Sequence, residues 1–175
     1  MSPDLAWCVG RGFLLREIEL AGCKLAHVAL PEDETTAGLF LPVSKADVGG
    51  SGVLQMRICS HQTEPLGSKS CAVCCLRDLA RLTASECDIE FTGSWPDEAW
   101  TTPLFITGEL RVPEKEAVVK GWRSLCISPC QLTGHSARRS EAKELARRGW
   151  PIELISKLGR WGSAAILGYI EEAAA

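Results

Sequence analysis

The chain is poor in several residue types at once. A single tyrosine, Tyr169, stands among 175 residues, beside three histidines and two methionines. Any chemistry that needs a phenol therefore has one candidate. No apolar run approaches the roughly 20 residues of a membrane-spanning helix, and no leader-like stretch follows Met1-Ser2-Pro3-Asp4. Both absences argue against a membrane and against secretion. An intracellular protein is expected, nuclear in a eukaryote and otherwise cytoplasmic. Internal repeats are lacking, and so is low complexity apart from the terminal alanines. Net positive charge is lacking too: 19 basic against 22 acidic side chains leave −3. Taken whole, that balance argues against a nucleic-acid partner.

The distribution of charge points the other way. Residues 121–160 hold eight basic side chains (Arg123, Arg138, Arg139, Lys143, Arg147, Arg148, Lys157 and Arg160) against Glu141, Glu144 and Glu153, a local net of +5. The remainder is then −8. Phosphate binding depends on the local field and on released counterions, so a basic patch on an acidic body can still bind DNA. Arg139, Lys143, Arg147 and Lys157 are its candidate DNA contacts. Cysteine is abundant, with nine residues at 8, 23, 59, 71, 74, 75, 87, 126 and 130. An odd number without a secretory leader points to reduced core thiols and one metal cluster rather than a disulfide framework.

The length suits one domain. Residues 11–23 read as a helix with Leu14, Leu15 and Ile18 inward. Residues 25–30 and 38–43 read as a hairpin, and 53–59 as a third strand. The spacing of Val73, Leu76, Leu79 and Ala80 predicts a helix over 71–83. Residues 85–112 read as a long loop anchored by Leu104-Phe105-Ile106. Pro113 opens a helix of about 114–125. Further helices are expected over 137–148, stopped by Gly149, and from Pro151 to Leu158, broken by Gly159. Gly162-Ser163 caps a last helix carrying Tyr169. The fold class is therefore α+β, mainly helical, with a small antiparallel sheet.

Chemistry concentrates in the last third, where His135-Ser136-Ala137-Arg138 gives a His-x-x-Arg pair one helical turn apart. Leu158-Gly159-Arg160-Trp161 follows about twenty residues on, and Tyr169 comes nine residues past Arg160. A phenol attacking a phosphodiester needs one nucleophile, donors for the pentavalent phosphorane and a proton donor for the departing hydroxyl. Earlier in the chain, Leu15-Arg16-Glu17-Ile18-Glu19-Leu20 sets an arginine on a helix, and Lys45 ends the second β-type run. Singly these features are ordinary: a surface ion pair, a helix start, a packed tyrosine. Together and in this order, the pattern resembles the catalytic domain of the tyrosine recombinases (phage-integrase family), including those of eukaryotic tyrosine-recombinase retroelements.

That resemblance implies site-specific DNA recombination or integration, with strand cleavage and rejoining through a covalent 3′-phosphotyrosine on Tyr169. It implies that Arg16 and Arg138 hold the phosphate, that His135 bonds the phosphorane or helps take the phenol proton, and that Lys45 protonates the leaving 5′ oxygen. In the slot that the family fills with His or Trp, register selects Arg160 and chemical type selects Trp161. The partners implied are double-stranded DNA and further copies of the chain on it. No cofactor is required for catalysis, because the arginines supply the charge. Only fifteen residues precede Arg16, so residues 1–175 are expected to form a single, N-terminally truncated catalytic-type domain without the family's core-binding clamp. A catalytically inactive DNA-binding or interaction remnant of a mobile element stands as the alternative. A separate set, Cys59, His61, Cys71 and Cys74, has the Cys-x-His and Cys-x-x-Cys spacing of a structural zinc site, which makes 59–74 a candidate zinc-binding insertion.

Overall fold

Helix α1 (Pro3–Gly12) is the hub around which the other helices gather. Pro3 occupies its first turn, where a missing N–H costs nothing, and Asp4 and Arg11 sit at the ends that suit their charges. Its buried residues are small: Ala6, Cys8, Val9 and Gly10. That lets α3 (Ala72–Glu86), α4 (Lys115–Ser124) and α5 (Ser136–Arg147) pack against it. Trp122 of α4 is fully buried and meets Trp7 edge-on, with ring centroids 5.3 Å apart. The structure, a computed structural model, describes residues 2–42, 51–62, 71–105, 114–127, 131–161 and 166–168.

The helix expected over 11–23 is two helices. The chain leaves α1 through Phe13 and Leu14, whose φ of +50° breaks the helical path, and re-enters a helix at α2 (Glu17–Ala21). The break changes the phase of the apolar stripe. Leu14 and Leu15 are buried as expected, whereas Ile18 is 59% exposed rather than inward.

The sheet has the order β1-β2-β3 and is antiparallel throughout, with β1 (Val28–Ala29), β2 (Thr36–Leu41) and β3 (Val53–Ile58). Val28 faces Leu39, and Gly38 faces Met56. The three expected strands are present, except that residues 25–27 form a 3-10 turn. Ala37, Leu39 and Leu41 of β2 are buried, and β2 packs on α3. Arg77 of α3 straps the two together by donating to the carbonyls of Pro31 and Thr36 at 2.8 and 2.9 Å. The predicted inward set of α3, Val73, Leu76, Leu79 and Ala80, is buried.

Leu104 and Phe105 anchor the long loop as expected, and the Thr83 hydroxyl donates to the Leu104 carbonyl. Helix α6 (Ile152–Gly159) runs one residue further than its sequence suggests. Gly159 is helical, and the break falls on Arg160, which is left-handed at φ 55° and ψ 43°. A second small core of Leu14, Ala142, Ile155 and Ile166 joins α5, α6 and the residues just before Tyr169. Seven described cysteines are free thiols, as expected of reduced core thiols, and Cys126 is disulfide-bonded. It lies past the end of α4 and is partly exposed, outside the core that would hold a thiol as a small apolar group. Among the described residues no helix is long and apolar enough to cross a membrane.

Candidate functional site

Glu19 stands at the centre of the site. Its Oε2 accepts the backbone N–H of Arg16 at 2.8 Å and the Arg160 Nη2 at 3.0 Å, and lies 3.9 Å from Arg138 Nη1. Its Oε1 lies 4.0 Å from Arg16 Nη2. The side chains of Glu19, Arg138 and Arg160 are 5, 4 and 8% exposed, and that of Arg16 is 18% exposed. Among the described residues, three guanidinium groups gather around this one carboxylate. Burial and the neighbouring Arg16 both hold the Arg160 guanidinium below its ordinary pKa, while Glu19 opposes them. The Arg160 Nε–H is buried and meets no acceptor among the described residues. Cys23 donates to the Glu19 carbonyl at 3.2 Å, and burial followed by the Glu19 charge pushes its thiol up to about 12.

Three separate elements deliver these groups. Arg16 is the residue before α2, and Glu19, three residues on, folds back over it as an N-terminal cap. Arg138 lies in the first turn of α5 on its buried side. The turn before it is pressed onto α2: Glu17 N–H donates to the Gly134 carbonyl at 3.1 Å, and a Cβ on Gly134 would fall on the Glu17 carboxylate. A side chain there would have to push aside the end of the flexible Glu17 side chain. His135, the next residue, ends the turn and is exposed at the same end of α5.

Arg160 arrives from the left-handed turn after α6 and reaches the carbonyl of Leu14, itself left-handed, at 3.4 Å. Non-glycine residues in this region each cost about 1–2 kcal/mol, and such strain tends to cluster at functional sites. Trp161 lays its ring under Arg138, whose Cζ is 4.4 Å from the centroid. The ring occupies the space that a Cβ on Gly159 would need. Both occupants of the ambiguous slot therefore meet the cluster, Arg160 through Glu19 and Trp161 through Arg138.

Arg16, Arg138, Arg160 and Trp161 are thus brought together, with His135 on the adjoining turn. Lys45 and Tyr169 lie outside the described residues. Residues 166–168, immediately before Tyr169, are helical, and Ile166 is buried with Leu14. Arg147 and Lys157 are exposed, and Arg139 and Lys143 are part-exposed on α5. In the sequence Glu19 shows only as part of a motif. Its spacing of three from Arg16 was the available signal.

A second constellation closes the far end of β3. The ligand atoms of Cys59, His61, Cys71 and Cys74 all lie within 4.8 Å of one another, so this group can hold a metal ion. Burial raises the Cys71 thiol, but hydrogen bonds from Ser60 and the Cys74 backbone outweigh it and bring the group down to about 6.

Mainly helical, with a three-stranded antiparallel sheet and this cluster of arginines, the molecule has a recombinase catalytic-domain-like fold. It is similar to the crystal structure of XerA recombinase, with a TM-score of 0.59 over 99% of this chain at 16% sequence identity. The chain spans 61% of the length of that protein. At this identity the likeness is one of fold. No family model and no curated protein matches the sequence.

Proposed function

We propose that this chain is a catalytic-type domain of a tyrosine recombinase that cleaves and rejoins double-stranded DNA. The observation that carries the reading is the set of three guanidinium groups, from distant parts of the chain, gathered on Glu19. In this reading the Tyr169 phenol oxygen attacks the scissile phosphorus and the bond to the 5′ oxygen breaks. A 3′-phosphotyrosine and a 5′-hydroxyl result. Arg16 and Arg138 hold the non-bridging oxygens, since planar forks suit bidentate phosphate contact. His135 bonds the phosphorane or takes the phenol proton as the Tyr169 oxygen attacks, Lys45 supplies the proton to the departing oxygen, and Arg160 with Trp161 completes the cradle. The phosphotyrosyl bond keeps the energy of the broken phosphodiester, so religation to another strand needs no nucleotide. Copies of the chain would assemble on DNA, in the nucleus if the source is eukaryotic, as part of a mobile element. A structural zinc ion at the Cys/His set belongs to the same picture and takes no part in the phosphoryl transfer.

One observation favours a second reading, a DNA-binding remnant without turnover. The Arg160 guanidinium is committed to Glu19 and to the Leu14 carbonyl and is 8% exposed. A group so engaged contributes field rather than a direct phosphate contact. Incubation with nicked duplex substrates of random sequence separates the two readings. Turnover predicts a protein–DNA adduct that survives denaturant, forms without magnesium and is lost in Tyr169→Phe while DNA binding persists. Salt-sensitive binding without an adduct, in a chain carrying any clamp domain encoded upstream, supports the remnant.

A further inference from the structure

The thiols and imidazole beyond β3 have the dimensions of a particular coordination sphere. With Zn–S of about 2.3 Å and Zn–N of about 2.0–2.1 Å, a tetrahedron has S–S edges of about 3.7 Å and S–N edges of about 3.5 Å. In this molecule Cys59 Sγ lies 3.7 Å from Cys74 Sγ and 3.7 Å from Cys71 Sγ. His61 Nδ1 lies 3.7 Å from Cys59 Sγ and 3.2 Å from Cys74 Sγ. Ordinary buried thiols pair at such distances two at a time. Four donors from two chain segments, all within 4.8 Å, enclose a point instead.

The surroundings suit thiolate ligands. Cys71 is the N-cap of α3 and Cys74 lies three residues on, so both sulfurs sit at the positive end of a helix dipole. Cys59 and Cys71 are buried, while His61 is exposed and leaves an entry path for the ion. Three thiolates and one imidazole favour zinc over the hard cations magnesium and calcium, and four protein ligands make a closed, structural site.

What such a site would hold together is also visible. β3 is the last strand of the sheet, and three of its side chains, Leu54, Met56 and Ile58, are 52, 43 and 69% exposed. Little apolar burial therefore holds this strand beyond its ladder to β2, the Gln55 bond to the Leu158 carbonyl and the Arg57 bond to the Gly12 carbonyl. Cys59 follows β3 directly, and Cys71 and Cys74 belong to the start of α3, which is part of the main core.

We propose that Cys59, His61, Cys71 and Cys74 bind one zinc ion, and that this ion staples the end of β3 to the start of α3, fixing the edge strand on the domain. The proposal stands independently of the recombinase reading.

The full chain, stripped of metal and titrated with cobalt under reducing conditions, tests the site. One equivalent should produce the visible bands of tetrahedral cobalt with a thiolate charge-transfer band, and zinc should displace it. Protein purified without chelator should carry one zinc per chain. Cys74→Ser should lose both signals, whereas Cys87→Ser, outside the set, should keep them. Absence of a stoichiometric ion and of the cobalt spectrum in the wild-type chain would overturn the site. Hydrogen exchange tests the staple on the same wild-type samples. Metal removal should speed exchange in β3 and the first turn of α3 while α1 and α5 stay protected. Unchanged β3 protection would overturn the structural role.

Discussion

At Glu19 one carboxylate meets three arginines among the described residues, and its removal tests how the site is held. Glu19→Gln keeps the shape and retains an acceptor for the Arg16 N–H, but deletes the only negative charge that touches Arg138 and Arg160 among the described ion pairs. Breaking a buried charge pair by removing one partner costs about 3–5 kcal/mol. Urea unfolding should show that loss. Sulfate or phosphate should then restore part of it, because an anion bound only by the folded state stabilises by about 2.7 kcal/mol at a hundred times its dissociation constant. Chloride at matched ionic strength should restore less. A glutamine variant as stable as the wild type would mean that the cluster does not depend on the carboxylate. The pairing of Arg16 with Glu19 was legible as a spacing of three on one helix. That Arg138 and Arg160 share the same carboxylate was not, because they come from elements more than a hundred residues away, and no local pattern encodes that distance.

The turn between α6 and Trp161 sets two residue preferences against each other at the scale of the element. Alanine is favoured over glycine inside a helix by about 1 kcal/mol, so Gly159→Ala should help α6 by propensity alone. The added Cβ, however, overlaps the Trp161 ring that lies under Arg138. Forcing an extra methyl into a packed site costs about 1–3 kcal/mol, and displacing the ring forfeits a cation–π contact of up to about 2 kcal/mol. Gly159→Ala should therefore destabilise the wild type, and become neutral or stabilising in a Trp161→Ala background. A double-mutant cycle of thermal or urea unfolding reads that coupling. Equal effects in both backgrounds would show that the ring does not need the glycine. Elements with large apolar residues at helical spacing, such as α3, were legible in the sequence. Helix α1 was not, because its buried face is Ala6, Cys8, Val9 and Gly10, which carry little periodic signal. The break at Leu14 was hidden for another reason: leucine rarely adopts positive φ, and the Arg160 contact that accompanies it is remote.

Across the whole molecule, charge is divided between a basic segment and an acidic remainder, and this division sets how DNA binding should respond to salt. Each phosphate neutralised by a protein cation contributes about −0.9 to the slope of log K against log salt for duplex DNA. Arg147 ends α5 and Lys157 lies in the last turn of α6, both exposed. If both contact the backbone, the double change Arg147→Ala with Lys157→Ala should flatten the slope by about 1.8, weakening binding similarly across sequences. Arg81→Ala, which removes an exposed cation paired with Glu34 outside the basic segment, should leave the slope unchanged. Tyr169→Phe should also leave it unchanged, since it removes a phenol oxygen and no cation. The slope must be taken over a salt series, because one affinity at one ionic strength mixes this term with every other contribution. A double variant with the wild-type slope would move the proposed DNA-contacting surface off the ends of α5 and α6.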